Sequence, residues 1–340
     1  MTSRYLDMEI STSPHLGRGL SVPIIMRNVV YALLPIIGVA VYTFGLSVFF
    51  LVFTTLVTCL MAERFICLWT RKPSTIGDYS AAITGILLGL TLPPGFPLWM
   101  AALGSVIAMA LGKALFGGLG FNPFNPALVG RAFLQAAFPT AITTWSDAFQ
   151  ADRFTTFINT TLTLPFMKAI PDTVSGATAL AAMKFDHKLA DTYDLFIGNI
   201  SGSAGETCAL VILLGGGYLA LRKMLDWRIP VGIFLSVLLV SGLFWWMDPK
   251  NPPPLFMLFS GGLMLGAVFM ATDMVTSPVT PVGAWIYSGL IGVLVVFIRL
   301  FGGLPEGVMY AILLGNAATP LINLMTQPKV YGSVKGGKKD

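Results

Sequence analysis

Residues 28–62 read NVVYALLPIIGVAVYTFGLSVFFLVFTTLVTCLMA and contain no Asp, Glu, Lys or Arg. A bilayer crossing takes about 20 mostly apolar residues, so this run holds two crossings with Gly45 between them. Similar charge-free runs lie between Asp78 and Lys113, Arg228 and Asp248, Lys250 and Asp273, Asp273 and Arg299, and Glu306 and Lys329. Composition agrees: 55% of the 340 residues are hydrophobic and only 11% are charged, with a mean hydropathy of +0.78. A soluble domain carries about 25% charged residues, so this chain cannot cover itself with a water-compatible surface.

Ten spans are predicted, near 26–44, 46–67, 79–93, 97–116, 124–139, 203–222, 229–247, 255–273, 281–301 and 305–325. The third, fifth and eighth are short, and Pro93-Pro94-Gly95-Phe96-Pro97, Pro278 and Pro281 interrupt the series. Lys and Arg cluster before span one, after spans two and six, and in the C-terminal tail. Ten crossings put all four clusters on one face, which the positive-inside rule makes cytoplasmic. Lys250 and Arg299 fall towards the other side. Residues 1–22 carry Asp7, Glu9, Pro14 and His15 and lack the apolar core of a signal peptide. They read as a cytoplasmic tail, as do residues 326–340.

The chain repeats itself. Leu115-Phe116-Gly117-Gly118-Leu119 returns as Leu300-Phe301-Gly302-Gly303-Leu304, and the same shift of 185 positions pairs Thr91 with Thr276, Pro93 with Pro278 and Gly104 with Gly289. Five spans separate the copies, an odd number, so the halves must run in opposite senses through the membrane. Inverted repeats with Gly/Pro-broken segments at matching positions mark many transporter folds, with the working site near the interface of the halves. The fold class expected is an all-α polytopic membrane protein. Two inverted five-helix repeats, 23–139 and 203–325, flank one long polar segment at 140–202 that falls in the periplasm.

Redox and binding chemistry is bounded by what is scarce. Cys59, Cys67 and Cys208 sit in apolar surroundings with no CxxC spacing, and the two histidines, His15 and His187, lie in polar segments. A bis-His haem or a four-Cys cluster cannot be built from these, so no metal site is expected. The net charge of +5 comes without an aromatic-interleaved basic patch, which argues against nucleic acid as a partner; membrane lipid is the expected surrounding.

Several polar positions stand out. In Asp172-Thr173-Val174-Ser175-Gly176-Ala177-Thr178, small residues lead to a sterically open hydroxyl, although this is also ordinary turn composition. Asn122-Pro123-Phe124-Asn125-Pro126 marks a loop entering a half-length helix, whose Asn amides suit a flavin ring or ribityl chain. Arg131 suits a phosphate, a quinoid oxygen or a helix-end carbonyl. Asp273 lies between two apolar runs and costs about 3 kcal/mol at membrane depth; it reads as a flavin contact, an ion-path acid or a capped carboxylate at a span end. Glu206 complements a helix N-terminus or serves function, and Asp78 leans towards the same capping role.

Five stretches in order carry a family resemblance: Phe121-Asn122-Pro123-Phe124-Asn125-Pro126-Ala127 to Gly130-Arg131-Ala132; Val174-Ser175-Gly176-Ala177-Thr178; Gly198-Asn199 to Gly205-Glu206-Thr207; Phe259-Ser260-Gly261-Gly262 to Ala271-Thr272-Asp273; and Arg299-Leu300-Phe301-Gly302-Gly303 to Pro305-Glu306-Gly307. With them the chain resembles the RnfD family, the D subunits of the Rnf ion-translocating oxidoreductase complex. More distantly it resembles the B subunits of the sodium-pumping NADH:quinone oxidoreductase. The resemblance covers nearly the whole chain. It implies FMN bound through a phosphoester to Thr178 within the Ser175, Gly176, Ala177 motif, and a complex coupling NADH and ferredoxin chemistry to Na⁺ or H⁺ movement. It leaves open a second, non-covalent flavin (riboflavin). It also implies partner subunits, among them a periplasm-facing flavoprotein, and a bacterial inner-membrane location. The rival reading is a stand-alone solute channel or secondary transporter, which explains the repeat but gives the 140–202 segment no task.

Overall fold

The computed structural model describes residues 21–165, 167, 178–198, 200–206 and 208–328. Among these the regular elements are all helical. Helices α1 (Val22–Phe44) and α2 (Leu46–Trp69) turn back on each other at Gly45, whose φ of 78° favours glycine. A Cβ there would also lie 1.9 Å from the Arg153 carbonyl oxygen. The next helix, α3 (Ser80–Leu90), is opened by Asp78, whose Oδ1 accepts from the Ser80 backbone N–H and hydroxyl. Pro93 and Pro94 follow its end and hold the chain out of helix before α4 (Leu98–Gly112). Asn125 caps α5 (Pro126–Ala137): its side-chain oxygen accepts from the N–H groups of Ala127 and Leu128, and Pro126 fills the first helical position, where no N–H is needed.

The 140–202 segment carries more structure than its composition announces. Short helices α6 (Pro139–Ile142), α7 (Ala179–Asp186) and α8 (Thr192–Ile197) lie within or at the edge of it. Its described part is folded over one end of the bundle. Phe149 N–H donates to Thr43 O and Arg153 Nε to Tyr42 O, while the Arg153 guanidinium lies over the rings of Tyr42, Phe149 and Phe154. Further on, Thr160 Oγ1 donates to Gly95 O at 2.5 Å and Leu98 N–H donates to Thr161 O. The segment therefore covers the α1–α2 and α3–α4 turns.

The second half comprises α9 (Ala209–Leu221), α10 (Arg228–Met247), α11 (Pro254–Phe259), α12 (Leu263–Leu265), α13 (Pro281–Phe301) and α14 (Val308–Thr326). The expected eighth span, 255–273, is not one helix. It breaks at 260–262, where Gly261 takes φ of 62°, and resumes through α12 into a buried π turn, Gly266–Met270. The expected third and sixth spans, 79–93 and 203–222, likewise shorten to α3 and α9. Among the described residues, six helices are long and apolar enough to cross a membrane: α1, α2, α4 extended to Phe116, α10, α13 and α14.

Helix α2 lies against α3 and α4, and α4 against α5; α10 lies against α11 and α13, and α13 against α14. Contacts of α1 with α9 and of α5 with α14 join the two groups, and one hydrophobic core runs through both. The α10–α13 contact is close because small residues face each other. A Cβ on Gly292 would sit 1.7 Å from Ser236 Oγ.

Candidate functional site

Thr178 is the N-cap of α7, and its Oγ1 accepts from the Ala181 N–H at 3.1 Å. The residue is only 4% exposed and faces a cavity of about 30 Å³ bordered by Gly198, Ser201, Phe259, Gly261 and Glu206. Room for a water or two is all that such a volume gives. Ser175, Gly176 and Ala177 lie outside the described residues. Helix α7 is held at its other end by Lys184, whose Nζ donates to the carbonyl oxygens of Arg299, Gly302 and Leu304 at the end of α13. The orphan carbonyls of one helix are thus satisfied by the helix that Thr178 starts.

Behind Thr178 lies a buried ionic cluster. Arg131 Nη2 donates to Glu306 Oε2 at 2.5 Å, and Nη1 stands 3.5 Å from Glu206 Oε1. The side chains of Arg131, Glu206 and Glu306 are 8%, 4% and 16% exposed. Arg131 therefore meets two carboxylates of this chain. Glu306 completes the cluster, although its sequence position marks only the end of an apolar run. Glu206 precedes α9 by three residues instead of opening it, and Gly262 makes room for its carboxylate: a Cβ at Gly262 would meet Glu206 Oε1 at 2.7 Å.

Arg299 is not a surface exception to the charge pattern. It is 1% exposed, and its guanidinium donates to Met257 O and, at 2.7 Å, to Ser260 O. These are carbonyls left at the end of α11 by the break, a place where a cation complements the helix dipole.

Asn122, Asn125 and Asp273 come together in a second cavity of about 80 Å³, with Lys113 and Ser80 as further polar walls and apolar side chains such as Phe269 completing it. Asn125 is committed elsewhere: besides capping α5, its Nδ2 donates to Met270 O at 3.2 Å, tying α5 to the π turn. Asn122 Nδ2 donates to Phe124 O, and its buried Oδ1 has no partner. Asp273 accepts from Val275 N–H on its side chain and from Thr276 and Ser277 N–H on its carbonyl, so it shapes a turn while bordering the cavity. Arg131 belongs to the other cluster and does not join these three.

One buried pair has no motif in the sequence. Lys113 and Glu63, 5% and 4% exposed, form an ion pair; Lys113 also donates to Ser80 Oγ at 2.5 Å, and Thr75 Oγ1 donates to Glu63 at 2.6 Å. The signal was two charges of opposite sign at the ends of neighbouring apolar runs, where lone charges are expensive and pair. Among the described residues, no group of three or more His, Cys, Asp or Glu side chains is arranged to hold a metal ion.

Long apolar helices, broken short ones between them and a buried ionic cluster are those of a polytopic helical membrane protein. Residues 9–332 match the family model described as NQR2, RnfD, RnfE, so this chain belongs to that family. The D subunit of the Na⁺-translocating ferredoxin:NAD⁺ oxidoreductase complex of Acetobacterium woodii is 41% identical, covering 97% of each chain. The D subunit of the proton-translocating ferredoxin:NAD⁺ oxidoreductase complex of Clostridium ljungdahlii is 40% identical over 95% of this chain and 96% of that one. The D subunit of an ion-translocating oxidoreductase complex of Alcanivorax borkumensis is 38% identical over 96% and 97%.

Proposed function

We propose that this chain is the membrane subunit of an ion-translocating oxidoreductase complex and that it carries electrons through FMN esterified to Thr178. Family membership and near-full-length likeness to subunits of such complexes support the first part. The single observation that supports the second is the position of Thr178 Oγ1 at the N-cap of α7. A phosphoester there meets the free N–H groups and positive dipole end of a helix, which favour an anion. The fit is to the phosphate; the cavity of about 30 Å³ does not admit an isoalloxazine ring, which would lie outside it. When bound, a flavin accepts and donates electrons, and the protein supplies position and electrostatics. Lys184 fixes the helix that bears the threonine, and the Arg131–Glu206–Glu306 cluster sets the charge behind it.

The reading extends to topology. The packing of α2 on α4 and α4 on α5, repeated as α10 on α13 and α13 on α14, supports two inverted halves. Arg64, Arg71, Arg222 and Arg228 lie near the ends of α2, α9 and α10 opposite to the folded segment, which supports a periplasmic side for Thr178 and cytoplasmic termini in an inner membrane. A flavoprotein subunit facing the periplasm would then be the neighbour of Thr178. A second, non-covalent flavin suits the cavity of Asn122, Asn125 and Asp273 in its polar groups and not in its present size of about 80 Å³.

Denaturing electrophoresis of the chain purified from cells that make the flavin transferase tests the assignment. Yellow fluorescence should migrate with the band and vanish in Thr178→Val. A colourless wild-type band, or a 169–184 peptide of unmodified mass from an active complex, sinks it and favours a channel or transporter without a redox cofactor.

A further inference from the structure

Helices α1, α2 and α3 leave a groove on the outside of the first half. Val30, Leu34 and Ile37 of α1 form one wall, Phe53, Leu56 and Leu60 of α2 the other, and the space between holds about 440 Å³. Ile86 of α3 lies buried at its floor. Tyr79, just before α3, brings the one polar side chain in the lining. It sits at the end where α1 begins and α2 finishes, because the chain passes from α2 to α3 there.

Two cations stand at that same end. Arg27 precedes Val30 by three residues and Leu34 by seven; Arg64 follows Leu60 by four and Leu56 by eight. Residues at those spacings share a helix face, so each arginine lies on the side of its helix that lines the groove. Both are exposed, and among the described residues neither has a hydrogen bond, ion pair or ring contact. The neighbouring carboxylates are already engaged: Glu63 by Lys113 and Thr75, and Asp78 by Ser80.

We infer that this groove binds an anionic phospholipid, with one acyl chain between α1 and α2 and the headgroup phosphate between Arg27 and Arg64. Length favours this occupant over a partner's helix. Along α2 the lining runs from Leu60 to Phe49, about 17 Å at the helical rise. One leaflet of hydrocarbon is about 15 Å deep, so the groove fits a single acyl chain. A transmembrane helix needs both leaflets. Here the path ends at Phe49, whose ring stacks on Phe53 and meets Phe50 edge-on, and Phe50 meets Phe157 of the covering segment. Arginine stems lie along apolar surface while their heads reach the headgroup level, where they attract anionic lipid. The site goes beyond the redox reading and stands without flavin at Thr178.

Photolabelling of the intact complex tests this, in phosphatidylcholine vesicles containing a trace of phosphatidylglycerol with a diazirine in one acyl chain. After irradiation and proteolysis, label should concentrate in the peptides holding 30–37 and 53–60. Unlabelled phosphatidylglycerol should displace it at lower concentration than phosphatidylcholine does. That preference should fall about fivefold in Arg27→Gln or Arg64→Gln, and further in the double variant. Neither arginine has a partner within the chain, so these variants should assemble as wild type. Leu34→Trp, which fills the groove and leaves both cations in place, should abolish the labelling. Label spread evenly over the lipid-facing helices, equal competition by the two lipids, or an unchanged preference in the double arginine variant overturns the proposal. So does capture of another subunit by a photoreactive phenylalanine analogue placed at position 34 in native membranes, which would assign the groove to a partner's helix.

Discussion

Arg131 on α5 and Glu306 before α14 meet at 2.5 Å across 175 residues of sequence, and with Glu206 they form a buried triad joining the first half of the chain to the second. Removing the cation leaves two carboxylates buried without compensation. Arg131→Met should cost about 3–5 kcal/mol, read as a lower thermal midpoint of the detergent-solubilised complex or as failure to assemble. Glu306→Gln, which keeps a hydrogen-bond acceptor for Arg131, should cost less. Equal midpoints for Arg131→Met and wild type would show that the triad does not stabilise the junction.

The Glu63–Lys113 pair predicts a non-additive cycle. Each single change, Glu63→Leu or Lys113→Met, strands one buried charge and should destabilise by about 3 kcal/mol or more. The double variant removes both charges and should be more stable than either single one. Thermal unfolding of the four proteins decides it, and additive losses would mean that the pair is not coupled.

Lys184 links α7 to the end of α13 through three carbonyl oxygens. Lys184→Met should cost about 1–2 kcal/mol and accelerate hydrogen exchange of the α7 amides while leaving α10 and α13 protected. Lys184→Arg should restore most of the protection. Unaltered exchange in the methionine variant would remove Lys184 as the anchor of the Thr178 helix.

Gly45 combines positive φ with a backbone contact that admits no side chain. Gly45→Ala costs about 1–3 kcal/mol for a backbone conformation, φ 78° and ψ −152°, that is open essentially to glycine alone, and its methyl displaces Arg153. Proteolysis within 144–165 should therefore become faster than in wild type. Gly38→Ala, where a Cβ meets nothing within 4 Å, is the matched control and should behave as wild type.

Much of this was legible in the chain because the bilayer makes composition decisive. The helices at α1, α2, α10, α13 and α14 lie where charge-free runs place them, and Asn125-Pro126 announced the start of α5 by an ordinary capping rule. The 260–262 break was harder: Ser-Gly-Gly inside an apolar run reads equally as tolerated glycine until Arg299, some forty residues on, is seen to take its carbonyls. Arg131 shows the same difficulty. Its residue type gives the number of donors, but the partners come from Glu206 and Glu306, and nothing local in sequence indicates which distant carboxylates fold against it. The short helices of the 140–202 segment escaped notice because α7 and α8 are too brief for periodicity to show.

An interruption of helix inside a bilayer ordinarily has to be wetted, since the exposed carbonyl groups need donors that lipid cannot give. At the end of α11 the donors come from the Arg299 guanidinium instead. The carbonyls freed by the cut are thus met within the protein, so they do not by themselves call for water as a donor at that level.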